Sequence, residues 1–341
     1  MPPQLFRTCV LIVCLAVSGV RAGVKEITAP LVGKDKLPTV DGTVDADEWA
    51  HALSLHAGMM DAEVKGITGR QMTVHMIADD EALYVGLVSP KWADELKAGD
   101  WQPDDHSAAR TDDRYELVVK PPLTPPIPWY HVIVNSAGNV YDHQGDPHRS
   151  DVFKTYTMED WDGEWTFEQS VTKDEWHMEF RIPINMFDED RTKAEGQWEI
   201  GVGRGMPKKK RYVGLASESN EMVKLNVLPD VPAVELHQLG NLADGELDAV
   251  FKLKDVGLEE GEETDRTLNL TCVLRDETGG GIMLRKNKDL PVVAPGEDKT
   301  TGIQARFSAA KQNMLMLVIW DPESNTNLYQ TKAPFSKSEE K

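Results

Sequence analysis

The chain is poor in cysteine, in basic charge and in long apolar runs. It has three Cys in 341 residues. Two of them, Cys9 and Cys14, fall in an N-terminal leader, so Cys272 is left without an intrachain partner and no disulfide framework holds the fold. Cys272 lies in the alternating segment Leu268-Asn-Leu-Thr-Cys-Val-Leu, which predicts a buried strand residue rather than a nucleophile. Lys plus Arg number 37 against 57 Asp plus Glu, a formal charge of −20. A field of that sign repels phosphate, which argues against nucleic acid and anionic membrane surfaces as partners. Beyond the leader, nothing approaches the ~18–20 consecutive apolar residues of a membrane helix. HExxH, GxSxG, GxxxxGK[ST], CxxC and Gly-rich dinucleotide loops are all missing, which weakens an enzyme reading without excluding it. A glycosidase needs only two acids ~5–10 Å apart, so hydrolysis of O-glycosyl bonds stays open as a minority reading beside a non-catalytic one.

What is present begins with an export signal. Arg7 forms a basic n-region, Cys9 to Val17 an apolar h-region, and Val20-Arg21-Ala22 a cleavage site before Gly23. A secreted or periplasmic product, processed near Ala22, is therefore expected. Hydrophobic residues make up 40% of the chain, enough for sizeable cores. Short alternating runs recur: Met72 to Ile77, Ala82 to Val88, Tyr115 to Val119, Trp129 to Val134 and Trp176 to Ile182. Each is bounded by Asp, Asn, Gly or Pro, the pattern of an all-β sandwich. Helix is expected only in short pieces such as Asp45–Leu53, with Asp45 as cap and Glu48 completing a capping-box arrangement. Pro229, Asp230 and Pro232 interrupt the pattern, and the first domain is expected to end near residue 243. From Leu247 to Phe335 six or seven further strands predict a smaller immunoglobulin- or fibronectin-like sandwich. The expected organisation is thus signal peptide 1–22, first sandwich 23–243, second sandwich 244–336 and a tail 337–341.

Two groups of residues could carry chemistry. Acid-rich loops hold Asp112, Asp113, Asp160 and Asp162, whose oxygens suit Ca²⁺. Nine Trp occur, seven of them between residues 49 and 176, and a ring on a carboxylate-bearing loop is what a sugar site uses. Trp101 fits that description, whereas Trp49, Trp176 and Trp198 lie in core patterns.

Leu37-Pro-Thr-Val-Asp-Gly-Thr-Val-Asp-Ala-Asp-Glu-Trp49 opens an order of motifs over residues 37–243 that resembles the family 9 carbohydrate-binding modules and their DOMON-like relatives, whose opening is P-x-I-D-G-x-L-D-E-x-x-W. Ala78-Asp-Asp-Glu-Ala-Leu-Tyr-Val, Asp112-Asp-Arg-Tyr-Glu-Leu-Val-Val, Asn135-Ser-Ala-Gly-Asn-Val-Tyr-Asp142, Trp176-His-Met-Glu-Phe-Arg-Ile-Pro183, Trp198 to Arg204 and Leu239-Gly-Asn-Leu242 follow in the family's order. The resemblance implies a β-sandwich that grips a sugar between aromatic rings, with structural Ca²⁺ nearby and frequent association with glycoside hydrolases. It makes Trp101, Arg110, Glu116, Trp129, His131 and Asn135 the expected ligand-binding set. The sequence departs from the family at both stacking rings: Arg110 occupies the neighbourhood of the first, and no Trp precedes Leu239. The wider superfamily implies a second possibility, haem held by residues such as His75, Met76 and Met178. A hydrolase using Glu116 with Asp112 or Asp113 stays open as well, and so does a purely structural module.

Overall fold

The structure is a computed structural model. It describes residues 23–67, 71–91, 96, 98–99, 111–122, 129–145, 159–187, 193–207, 211–216, 222–258, 262–294, 297 and 299–337. The leader, Trp92, Trp101 and Arg110 lie outside the described residues.

The chain is all-β as expected. Its strands are β1 (Gly23–Pro30), β2 (Leu53–Leu55), β3 (Met60–Asp61), β4 (Gly66–Ile67), β5 (Thr73–Ala78), β6 (Ala82–Pro90), β7 (Arg114–Lys120), β8 (Tyr130–Asn135), β9 (Val140–Gln144), β10 (Glu159–Asp160) and β11 (Thr166–Val171). They continue with β12 (Glu175–Pro183), β13 (Gly196–Met206), β14 (Arg211–Gly214), β15 (Val223–Leu228), β16 (Ala233–Gln238), β17 (Glu246–Lys254), β18 (Thr267–Asp276), β19 (Ile282–Pro291), β20 (Thr301–Arg306), β21 (Gln312–Asp321) and β22 (Thr326–Ser336). The alternating apolar runs became β5, β6, β7, β8 and β12. Among the described residues there is no α-helix, and none is long and apolar enough to cross a membrane.

The strands form two sheets. One runs β10-β9-β8-β7-β13-β15-β1-β22-β21-β18-β19, with β14, β3 and β4 attached to its side. The other runs β11-β12-β6-β5-β2-β16-β17-β20. Pairing is antiparallel except at β1–β15 and β2–β16. One side of each strand points inward, and Trp176, Trp198, Tyr115, Phe180, Phe251 and Tyr329 fill the space between the sheets in one continuous buried cluster. Cys272 lies in that cluster on β18, where burial pushes its thiol up to about 12.

Pro229 and Asp230 form a tight turn, with Asp230 at φ 54°, through which the chain crosses from β15 in one sheet to β16 in the other. Residue 243 falls in the short 3-10 turn Leu242–Asp244 between β16 and β17, which pair with each other. The six strands after it extend both sheets: β22 pairs with β1, and β17 with β16. Leu290 and Pro291 are the end of β19, and Val293 beyond it makes an isolated bridge to Lys254.

Segment 45–52 is a series of turns instead of the expected helix, and its role is tertiary. Asp45 caps it locally, its carboxylate accepting from Asp47 N at 2.9 Å, but Trp49 then dives onto the outer face of the second sheet. There the indole donates to Glu179 Oε1 at 3.0 Å, while Asp41 N and Gly42 N donate to Glu179 Oε2 at 3.0 and 2.9 Å. Gly42 has φ 87°, and a Cβ there would lie 2.8 Å from the Gln169 backbone, so only glycine fits. Gly86 is needed for the same packing, because its Cβ would stand 2.8 Å from the Trp49 ring. Residues 32–52 therefore strap the outer face of this sheet, with Trp49, Ile77, Tyr84, Ala233 and Val256 as a second, smaller apolar cluster beneath.

Candidate functional site

The outer face of the first sheet is built differently. Strand parity sends Tyr115, Leu117, Tyr130 and Val132 into the core and leaves Arg114, Glu116, Trp129, His131, Tyr141 and His143 on the opposite side. Register brings them together: His131 is opposite His143, Arg114 opposite Asn135, and Glu116 opposite Gly203 of β13. Arg114 places Nε and Nη2 at 2.6 Å from Glu116 Oε1, and His131 Nε2 stands 3.6 Å from Oε2. Rings close the cluster: Trp129 and His143 meet edge to face at 5.2 Å and His131 and His143 at 4.9 Å, while Tyr141 lies tilted against His143 at 5.2 Å between centroids.

The floor of the site is glycine. A Cβ on Gly205 would lie 2.8 Å from the Arg114 guanidinium, and one on Gly203 would lie 2.2 Å from the Tyr212 ring. The bare strand thus lets a cation and an aromatic ring lie flat against it. Glu116, His131 and His143 are almost wholly buried, at 4%, 1% and 2% exposure. Burial would raise the Glu116 carboxyl, but the His131 contact and the Arg114 charge outweigh it and hold it at about 2. The site therefore offers a fixed carboxylate, a planar guanidinium, imidazole nitrogens and aromatic faces, which is the chemistry that bonds vicinal hydroxyls and stacks on C–H faces.

Of the expected ligand set, Glu116, Trp129 and His131 come together here. Asn135 sits at the rim as a brace. Its Oδ1 accepts from Ala137 N and Asn139 N, both at 3.0 Å, and its Nδ2 donates to Gly99 O and Asp112 Oδ2, both at 3.1 Å. Asp112 also accepts from Gly99 N at 2.5 Å, so its carboxylate is engaged by N–H donors that repel a cation. Asp162 is exposed beyond β10, and the Asp160 side chain lies outside the described residues. Among the described residues, Asp112, Asp113 and Asp162 belong to no group of three acid or imidazole side chains whose ligand atoms lie within 4.8 Å of one another. The haem set does not fit: Met76 and Met178 fill the core, while His75 points to the outer face of the second sheet and bonds Ser54 Oγ at 2.8 Å.

Arg114, Tyr141, His143 and Tyr212 are site residues that the sequence reading missed. The available signal was parity, since Tyr141 and His143 are two apart on a strand beside the expected His131.

No family model matches the chain, and no curated protein matches it. Solved structures similar to it include a carbohydrate binding module family 9 from Caldicellulosiruptor kristjanssonii in complex with cellotriose, at 15% identity over 60% of this chain and 94% of that one, TM-score 0.38. The same module in complex with glucose is similar at 15% identity over 60% of this chain and 96% of that one, TM-score 0.38. The likeness is weak, and any function has to stand on this chain's own residues.

Proposed function

We propose that the chain is an exported, non-catalytic carbohydrate-binding protein that works in polysaccharide recognition or breakdown, alongside glycoside hydrolases. The observation that carries this reading is the Arg114–Glu116–His131 cluster, which lies on a glycine floor, keeps the Glu116 carboxylate ionised and is ringed by Trp129 and Tyr141. Sequence order supports it through the family resemblance, and the leader supports export. The electrostatics favour binding over hydrolysis. A glycosidase acid needs a raised pKa, whereas Glu116 is held at about 2. The nearest acid pushed upward by burial, Asp142, pairs with inward-facing Val132 and so lies on the other side of the sheet, bonded to Gly163 N and Trp165 Nε1.

A glycan-array screen of the full chain, with Glu116→Gln and Trp129→Ala variants beside it, tests the reading; cello-oligosaccharides and glucose, the ligands of the solved modules, belong in the panel. Specific binding is expected, lost in Glu116→Gln while the unfolding midpoint stays above assay temperature. Silence from the folded wild type, or binding indifferent to both substitutions, overturns it. Release of reducing sugar abolished by Glu116→Gln would replace it with the hydrolase reading.

A further inference from the structure

A second polar cluster lies on the opposite side of the molecule, where the strap of residues 32–52 leaves the end of the second sheet's outer face uncovered. Glu235 and His237 are two apart on β16, His237 at the bulge between Leu236 and Gln238, and their side chains converge. His56 follows β2 directly, and its N donates to Leu236 O at 2.9 Å, one step past the parallel Leu55–Leu236 pair. The imidazoles of His56 and His237 stack with an interplanar angle of 8°. Their Nε2 atoms stand 3.4 and 3.6 Å from the same oxygen, Glu235 Oε1.

We propose that His56, Glu235 and His237 bind a divalent first-row transition metal, Zn²⁺ in particular, with a fourth position open to solvent. Three observations carry this. First, the donor atoms all lie within 4.8 Å of one another, and this is the one such group of His, Cys, Asp or Glu among the described residues. Second, the Nε2 atoms of His56 and His237 are buried and have no hydrogen-bond partner. Their separations from Oε1 are too long for good hydrogen bonds, but ~2.0–2.1 Å metal bonds in a tetrahedron set ligand edges of ~3.3–3.4 Å. Third, the outer contacts orient the ligands as metal sites require. Thr73 Oγ1 meets His56 Nδ1 at 3.3 Å, which leaves Nε2 to face the centre. Lys254 Nζ holds Glu235 Oε2 at 3.0 Å and also donates to Ala50 O at 2.9 Å, which leaves Oε1 free to ligate.

Two imidazoles and one carboxylate form a donor set of intermediate softness, suited to Zn²⁺ rather than to Ca²⁺ or Mg²⁺.

The test is calorimetric titration of the chelator-stripped full chain with Zn²⁺, with Co²⁺ absorption as an independent report of tetrahedral geometry. Wild type is expected to bind one Zn²⁺ per chain and to unfold at a higher temperature with it. Thr73→Val keeps all three donors and is expected to weaken binding about tenfold; His237→Ala should weaken it further and remove the thermal shift. Metal-free thermal midpoints equal to wild type show that the variants fold. No Zn²⁺ uptake by wild type, or uptake unchanged in both variants, overturns the assignment. The glycan screen is independent of this result, because Glu116 and His131 lie on the other sheet.

Discussion

Replacing Glu179 tests whether the strap is a structural device. Its carboxylate accepts from Asp41 N, Gly42 N and Trp49 Nε1 at 2.9–3.0 Å. Asp41 is exposed, so water can serve its amide, but Gly42 and Trp49 are buried. Glu179→Ala strands these two buried donors at about 1–3 kcal/mol each, so a loss of about 4 kcal/mol is expected. At about 2 °C per kcal/mol for a chain of this size, the midpoint should fall by about 8 °C. Burial pushes the Glu179 carboxyl up from its ordinary value against the three donors, so the charge itself is costly. Glu179→Gln, neutral and of the same shape, keeps one acceptor oxygen and should lose less than Ala. Urea and thermal unfolding read both variants, and a cycle with Trp49→Phe should show coupling of about 1 kcal/mol or more. An Ala variant within about 1 kcal/mol of wild type, or an Ala variant no worse than Gln, would refute the reasoning.

Glu116 is depressed from 4.5 to about 2, so its contribution is complete above pH 4.5 and disappears as pH falls through 2. The advantage of wild type over Glu116→Gln in urea midpoint, worth up to about 3 kcal/mol at pH 7, should shrink at pH 3; a constant gap would contradict the ion cluster. Gly203→Ala should destabilise by about 1–3 kcal/mol through overpacking against Tyr212, and Tyr212→Ala in the same chain should restore most of that loss in thermal unfolding. Because β1 pairs with β22 and β16 with β17 over a common core, calorimetry should show one cooperative unfolding transition, and two resolved transitions would contradict it.

Much of the fold was legible because its signals are local. A period of two marked β5, β6, β7, β8 and β12. Strand β19 was missed because it is a sheet edge, where Arg285, Lys286 and Lys288 replace inward apolar alternation. The helix expected at 45–53 failed for a tertiary reason: Trp49 is fixed by Glu179, 130 residues away, and no local cap competes with that. Three of the seven motifs that carry the family resemblance lie at this strap and on the sheet beneath it. Asp41, Gly42 and Trp49 come from the opening motif, Glu179 from the Trp176 to Pro183 strand, and Asp79 closes the turn of the Asp-Asp-Glu segment by accepting from Glu81 N and Ala82 N. They specify how the sandwich is closed, which is why they were readable, whereas Arg114, Tyr141 and His143 meet only through strand register.

The two outer faces of the sandwich start from the same geometry, and what separates them is how each disposes of its outward side chains. On the second sheet an apolar strap covers most of the face, so Ile77 and Tyr84 can be hydrophobic there and Glu179 serves only to hold the strap down. Polar residues return where the strap ends, and His56, Glu235 and His237 gather at that margin. On the first sheet, β13 supplies glycines where the other sheet has side chains under a cover, and the space so freed is taken by a guanidinium, a carboxylate and aromatic rings. A buried ionised carboxylate does not stabilise a fold better than an apolar contact of equal volume. Its presence on the first sheet, with an apolar solution to the same problem on the other, is the physical ground for the proposed ligand site.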